Sequence, residues 1–303
     1  MSLFVQQEQT INSFTDSGSW VVLSPIEQSI KQKIEAVGKP LKDWDIQINY
    51  GIKTGFNDAF IINEESRAEI LSNCLTEEER KRTAELIRPI LRGRDIKRYG
   101  YNWAGLYLIA TFPSRHYNID DYPALKSFLL SFGVERLEQT GKKHVVNGEV
   151  IKARKKTNNK WFETQDSISY WDLFFQPHIC WKAVGRNLTF ALVEGGTFLT
   201  APASFISAGK YNYYILAMLC SKVSKYFIYQ NSDTTGAGDI MLNIQSLIKF
   251  PIPIPTDSQN DSISVLCKSQ MQCDNDNIQT KIDDLIFELY GFDSSEISLI
   301  TSV

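Results

Sequence analysis

Trp44-Asp-Ile-Gln-Ile-Asn-Tyr-Gly-Ile-Lys-Thr-Gly-Phe-Asn-Asp-Ala-Phe60 is the stretch on which the fold of this sequence turns. The run through Tyr50 reads as a strand. The glycines at 51 and 55 then permit the sharp, often left-handed backbone of a tight loop. Lys53, Thr54 and Asn57 supply donors within that loop, where a phosphate or a base edge can be met. Taken alone, Gly-x-x-x-Gly fits a plain strand-capping turn at least as well. Ala59-Phe-Ile-Ile62 reads as a second, buried strand.

The same unit closes on Arg88-Pro-Ile-Leu-Arg-Gly-Arg-Asp-Ile-Lys-Arg-Tyr99, which holds five basic residues against one acid. Arginine's planar fork suits bidentate contacts with phosphate oxygens or with guanine O6 and N7. Charge runs are commonly only solvated faces, and Lys81-Arg82 among Glu77, Glu78, Glu79 and Glu85 has that look. Arg92-Gly-Arg94 fits the bland reading less well, and Lys97 and Arg98 extend it.

Around this core the elements follow in order. Ser24-Pro-Ile-Glu27 places a cap, a first-turn proline and an acid three residues on, so a helix is predicted over 25–37. Thr76 caps another helix that Pro89 is expected to end. Tyr107–Phe112 is strand-like by its aromatic and branched content, and Leu125–Leu137 reads as one amphipathic helix. Between Gln139 and Asn159 hydrophobicity drops and basic residues gather, among them Lys152, Arg154, Lys155 and Lys156. Asn147-Gly148 there is a strong type I′ hairpin signal. A basic hairpin is both an ordinary solvated element and a shape that fits DNA.

The aromatic stretch Trp161–Trp181 is read chiefly as core, with Lys182 kept as an exposed backbone contact. His178 sits in an apolar run as a core or edge residue. Strands are expected over 187–193 and 197–207. Tyr211–Gln230 reads as one long scaffold helix, interrupted by Lys222 and Lys225 and so unsuited to a membrane. Thr234-Thr-Gly-Ala-Gly238 lacks the ending of a P-loop. Alternating prolines in Phe250-Pro-Ile-Pro-Ile-Pro255 force an extended segment, after which two helices ending at Gly291 form a hairpin.

Seen together, Gly51–Phe60, Ile90–Tyr99, Tyr122-Pro-Ala-Leu125, Pro177-His-Ile-Cys-Trp-Lys182, Phe250–Pro255 and Ile282–Gly291 keep an order that resembles the TaqI-like C-terminal specificity domain of type IIG (Eco57I-class) restriction-modification enzymes and related adenine-specific DNA methyltransferases. The resemblance runs from about Leu23 to Phe292. It implies recognition of a double-stranded DNA target, with methyl transfer and cleavage in segments upstream. S-adenosylmethionine and Mg²⁺ would belong to those segments and not to this chain. The residues agree: there is no Asn/Asp-Pro-Pro-Tyr/Phe element, no glycine-rich cofactor loop after a strand, and no persuasive nuclease carboxylate set. No catalytic residue is assigned.

Composition sets bounds on this reading. The 303 residues, 43% hydrophobic and 22% charged, can bury a large core. A net charge of −3 argues against binding nucleic acid by bulk electrostatics, so any DNA contact must be a local patch. Five scattered cysteines fit reduced thiols in a cytoplasmic protein, and three distant histidines make no metal box.

The expectation is therefore an α+β fold of mixed and antiparallel sheets with packed helices and a C-terminal helical hairpin. Residues 1–43 would be a leader and connecting helix, 44–255 the recognition domain and 256–303 the hairpin. Met1-Ser-Leu3 reads as an expression leader on a cloned fragment. The DNA-contact set is Lys53, Thr54, Asn57, Arg92, Arg94, Lys97, Arg98, Lys152, Arg154, Lys155, Lys156 and Lys182. An assembly module that pairs its basic stretches with acidic protein surfaces is the competing reading.

Overall fold

The computed structural model describes residues 23–302, so the expectation for Met1-Ser-Leu3 falls outside it. The chain divides into two compact units, Gln47–Asn212 and a second that joins the chain before residue 47 to everything from Tyr213 onward. Residues 213–255, grouped by sequence with the recognition domain, thus cluster with the terminal helices.

The Gln47–Asn212 unit is built on two four-stranded sheets. One is antiparallel throughout, in the order Phe190–Val193, His178–Trp181, Ser204–Ser207, Gln47–Tyr50. The other is mixed, in the order Phe198–Leu199, Ile87–Leu91, Leu106–Ile109, Ile61–Asn63, with the first pair parallel. The strands His178–Trp181 and Phe190–Val193 are buried at every position, which explains their largely apolar sequences. Phe174 fills the core beside them, its ring 4.6 Å from those of both Phe198 and Phe205. The aromatic stretch is used for packing here, as its composition predicted.

Four local expectations need correction. Ala59-Phe60 closes a single helical turn, Asn57–Phe60, and the strand begins only at Ile61. Pro89 does not end a helix: the Thr76-capped helix stops at Leu86, and Pro89 lies within Ile87–Leu91. Its missing N–H is tolerated because the neighbouring Phe198–Leu199 strand pairs only from Ile90 onward. The helix expected over 125–137 is two, Pro123–Leu130 and Val134–Leu137, parted by Gly133 at φ +85°. Likewise 211–230 is broken into Asn212–Leu219 and Lys222–Asn231, because Ser221 caps a new helix start.

In the second unit, Pro25–Val37 has the predicted bounds, and the Ser24–Glu27 capping box is closed in both directions. Gly38–Pro40 pairs antiparallel with Pro251–Pro253. The Pro251 and Pro253 carbonyls take their donors from outside this ladder. The buried tyrosines supply them: Tyr290 donates to Pro251 O at 2.6 Å and Tyr214 to Pro253 O at 2.8 Å. Asp257–Gln272 and Asp276–Tyr290 form the expected hairpin, closed by Gly291 at φ +68°, and a further helix, Ser294–Thr301, follows. No helix among the described residues is long and apolar enough to cross a membrane.

Candidate nucleic-acid interface

Gly51 and Gly55 serve different purposes. A Cβ at Gly51 would stand 2.6 Å from the Thr200 carbonyl carbon, so the glycine is there to let two backbones touch. Ile52 N–H donates to Leu199 O at 2.7 Å, and Ala201 N–H returns to Ile52 O at 3.0 Å. Gly55 supplies the turn itself, at φ +79°. Thr54 Oγ1 donates to Asn57 Oδ1 at 2.7 Å and accepts Phe56 N–H at 3.1 Å, closing the loop from within. Thr54 is therefore a buried structural residue, while Lys53 and Asn57 stay exposed.

The basic cassette reaches the same segment from its other side. Thr200 N–H donates to Leu91 O at 2.9 Å, so Leu199–Ala203 is a shared seam between the glycine loop and the arginine cassette. Nothing in the sequence linked those stretches to residues 199–203. Beyond Leu91, Arg92 folds back on Asp95, its Nε and Nη2 donating to the two carboxylate oxygens at 2.9 and 2.8 Å. Burial works to raise the Asp95 carboxyl, but the hydrogen bonds and charge of Arg92 outweigh it and hold the group below its ordinary value. Arg92 thus shapes the turn with one edge of its fork, whereas Arg94, Lys97 and Arg98 are exposed.

Lys97 N–H donates to Gly100 O at 2.8 Å, and Tyr99 takes a left-handed φ of +65°, so Lys97 and Arg98 sit on a tight turn. An open cavity of about 460 Å³ lies alongside, lined by Arg92, Gly93, Arg94, Lys182, Thr200 and Pro202. Gly93 again marks a close approach, since its Cβ would meet Lys182 Cβ at 3.3 Å. The structure therefore brings Arg92, Arg94 and Lys182, remote in sequence, to one concave site.

The hairpin is present as predicted, Lys143–Val146 against Glu149–Lys152, with Asn147 and Gly148 both at positive φ. Lys152, Lys155 and Lys156 are exposed. Arg154 is not: it is 4% exposed and donates to the carbonyls of Leu137, Thr54, Glu163 and Trp161. Its guanidinium lies over the Phe60 ring, 4.9 Å from the centroid. Burial lowers its pKa to about 10, which leaves it charged at neutral pH. The expected DNA contact is a buried clamp that ties the glycine loop to the hairpin's base. Only the even spread of basic residues through 142–160 hid this, since nothing local marks one arginine among lysines as internal. Among the described residues no cluster of His, Cys, Asp and Glu has the makings of a metal site.

The chain is 24% identical over 296 residues to the Type II methyltransferase M.BstVI of Geobacillus stearothermophilus, covering 95% of this chain and 47% of that protein. It thus spans about half the length of the curated relative it matches. Among solved structures it resembles the Type IIL restriction-modification enzyme MmeI, determined in complex with DNA, with a TM-score of 0.57 and 13% identity over 88% of this chain and 37% of that one. The type IIG restriction endonuclease BpuSI gives a TM-score of 0.48 at 13% identity over 88% of this chain and 33% of that one. The model of the TaqI-like C-terminal specificity domain matches residues 88–252, more than half of the sequence, and the chain belongs to that family.

Proposed function

We propose that the Gln47–Asn212 unit reads a specific sequence in duplex DNA as the target-recognition part of a type IIG-like restriction endonuclease and adenine-N6 DNA methyltransferase. Methyl transfer with S-adenosylmethionine, and Mg²⁺-dependent cleavage, would be carried out by segments outside these residues. The observation that carries this reading is the seam at Leu199–Ala203, where the glycine loop and the arginine cassette meet beside a concave site holding Arg94 and Lys182. Arg94 is exposed, and Lys182, expected to be exposed, is half-buried with its side chain lying against Gly185; cations on a fixed backbone are what positions a protein on phosphates. The local concentration also reconciles DNA binding with a net charge of −3.

The test is charge reversal at the two cavity cations that form no salt bridge among the described residues, Arg94→Glu with Lys182→Glu. Arg92 is spared because its fork holds the turn through Asp95. Loss of duplex binding with an unchanged melting temperature is the expected result. Undiminished DNA binding, with loss of association to a protein partner, would replace this reading by the assembly module.

A further inference from the structure

The two faces of the Lys143–Lys152 hairpin differ in a way that folding alone does not explain. Residues directly opposed across an antiparallel pair share a face, as do residues two apart along a strand. Lys143 pairs with Lys152 and Val145 with Val150, so these four lie together on one face. That face is the outer one: Val145 is 75% and Val150 67% exposed, and both lysines are exposed. His144, Val146 and Ile151, on the other face, are half-buried.

Neither outer pair helps the free hairpin. Like charges directly opposite repel, and two solvated valines recover little of the burial that favours β-branched residues in strands. The hairpin is nevertheless firmly rooted, since Ala153 N–H donates to Lys142 O at 2.9 Å and Arg154 N–H to Glu138 O at 2.9 Å. A rigid two-stranded ribbon with cations toward its stem and four methyl groups toward its tip suits the major groove, which admits such a ribbon. Phosphates flank that groove. The one apolar group on its floor is the C5-methyl of thymine.

We infer that Val145 and Val150 are specificity residues that pack on thymine methyl groups in the major groove, with Lys143 and Lys152 on the flanking phosphates. This rests on the DNA-recognition reading and deepens it by assigning the base chemistry to the hairpin tip.

The test uses this chain and the duplex it selects from a randomised pool, with each thymine replaced in turn by deoxyuridine, which removes only the methyl. The wild-type chain is expected to lose affinity about fourfold at one or two positions, the scale of one methyl group removed from an apolar contact. Val145→Ser with Val150→Ser, which removes all four methyl groups from an exposed face, is expected to abolish that discrimination while leaving the salt dependence unchanged. Lys143→Gln with Lys152→Gln is expected to do the reverse, lowering the slope of log affinity against log salt by about two. A selected motif without thymine, or wild-type indifference to every deoxyuridine, overturns the inference and leaves DNA recognition standing. Absence of any duplex binding removes both.

Discussion

Arg154 donates through Nη1 to the carbonyl oxygen of Thr54 at 2.9 Å, joining the middle of the glycine loop to the base of the hairpin across 100 residues of sequence. Three further carbonyls share the same guanidinium. The loop and the hairpin are thereby held in a fixed relationship before any ligand arrives, which lowers the ordering cost of binding.

Replacing Arg154 by Met is expected to leave the Leu137 and Trp161 carbonyls without a donor, while Thr54 O keeps Gln165 N–H and Glu163 O keeps the Gln139 amide, and to cost about 3–5 kcal/mol. Lys at this position keeps the charge but not the planar fork, and is expected to recover only part of the loss. Urea denaturation measures both, and a loss under about 1 kcal/mol for the Met variant would contradict the clamp.

His178 carries a pH dependence. It is fully buried, its Nδ1 2.8 Å from Gln176 O and its Nε2 without a hydrogen bond. Burial pulls its pKa from 6.5 down to about 4, against the opposing effect of the Gln176 carbonyl. The unfolded chain therefore binds a proton over a range where the folded chain does not. Stability is full above pH 6.5 and falls as pH drops toward 4, by about 2 kcal/mol between pH 7.5 and pH 5. His178→Phe, among the rings of Phe174 and Phe205, is expected to remove that dependence whatever its own stability.

Gly51 and Gly100 form a matched pair of tests. Ala at 51 drives a methyl into the backbone of Thr200, whereas Ala at 100 meets nothing within 4 Å and needs no left-handed φ. Overpacking of the first kind is expected to cost about 1–3 kcal/mol, and the second change to fall within about 0.5 kcal/mol. Equal thermal shifts would show that Gly51 is not there for close approach.

In the second unit Glu296 is 1% exposed and is met by Lys33 Nζ at 2.6 Å and Ser29 Oγ at 2.6 Å. Lys33→Met leaves that carboxylate without its cation. Lys33 is itself one-third exposed, so the expected loss is the modest one of about 1–3 kcal/mol at pH 7. Glu296→Gln in the same background should restore part of it, and absence of any rescue would count against the ion pair.

Much of this was legible in advance because it is local. The Ser24 capping box, the Asn147-Gly148 hairpin and the Gly291 cap are each specified within a few residues, and each is found where spacing placed it. The breaks at Gly133 and Ser221 were missed because apolar periodicity ran on through a glycine turn and a serine cap. What sequence could not convey is tertiary choice. Thr54, Arg92 and Arg154 have the chemistry of DNA contacts, but an internal hydroxyl bond, an aspartate three residues away and four carbonyls claim them. Conversely, Thr200–Ala203 carries no motif and still holds the two motif stretches together.

The most direct test of the central claim is fluorescence anisotropy of this chain on a randomised duplex pool at low and then physiological salt, with sequencing of the retained DNA. Enrichment of one short motif, bound more weakly as salt rises, is the predicted result. Binding that enriches nothing, or no binding even at low salt, would contradict a target-recognition role for the Gln47–Asn212 unit.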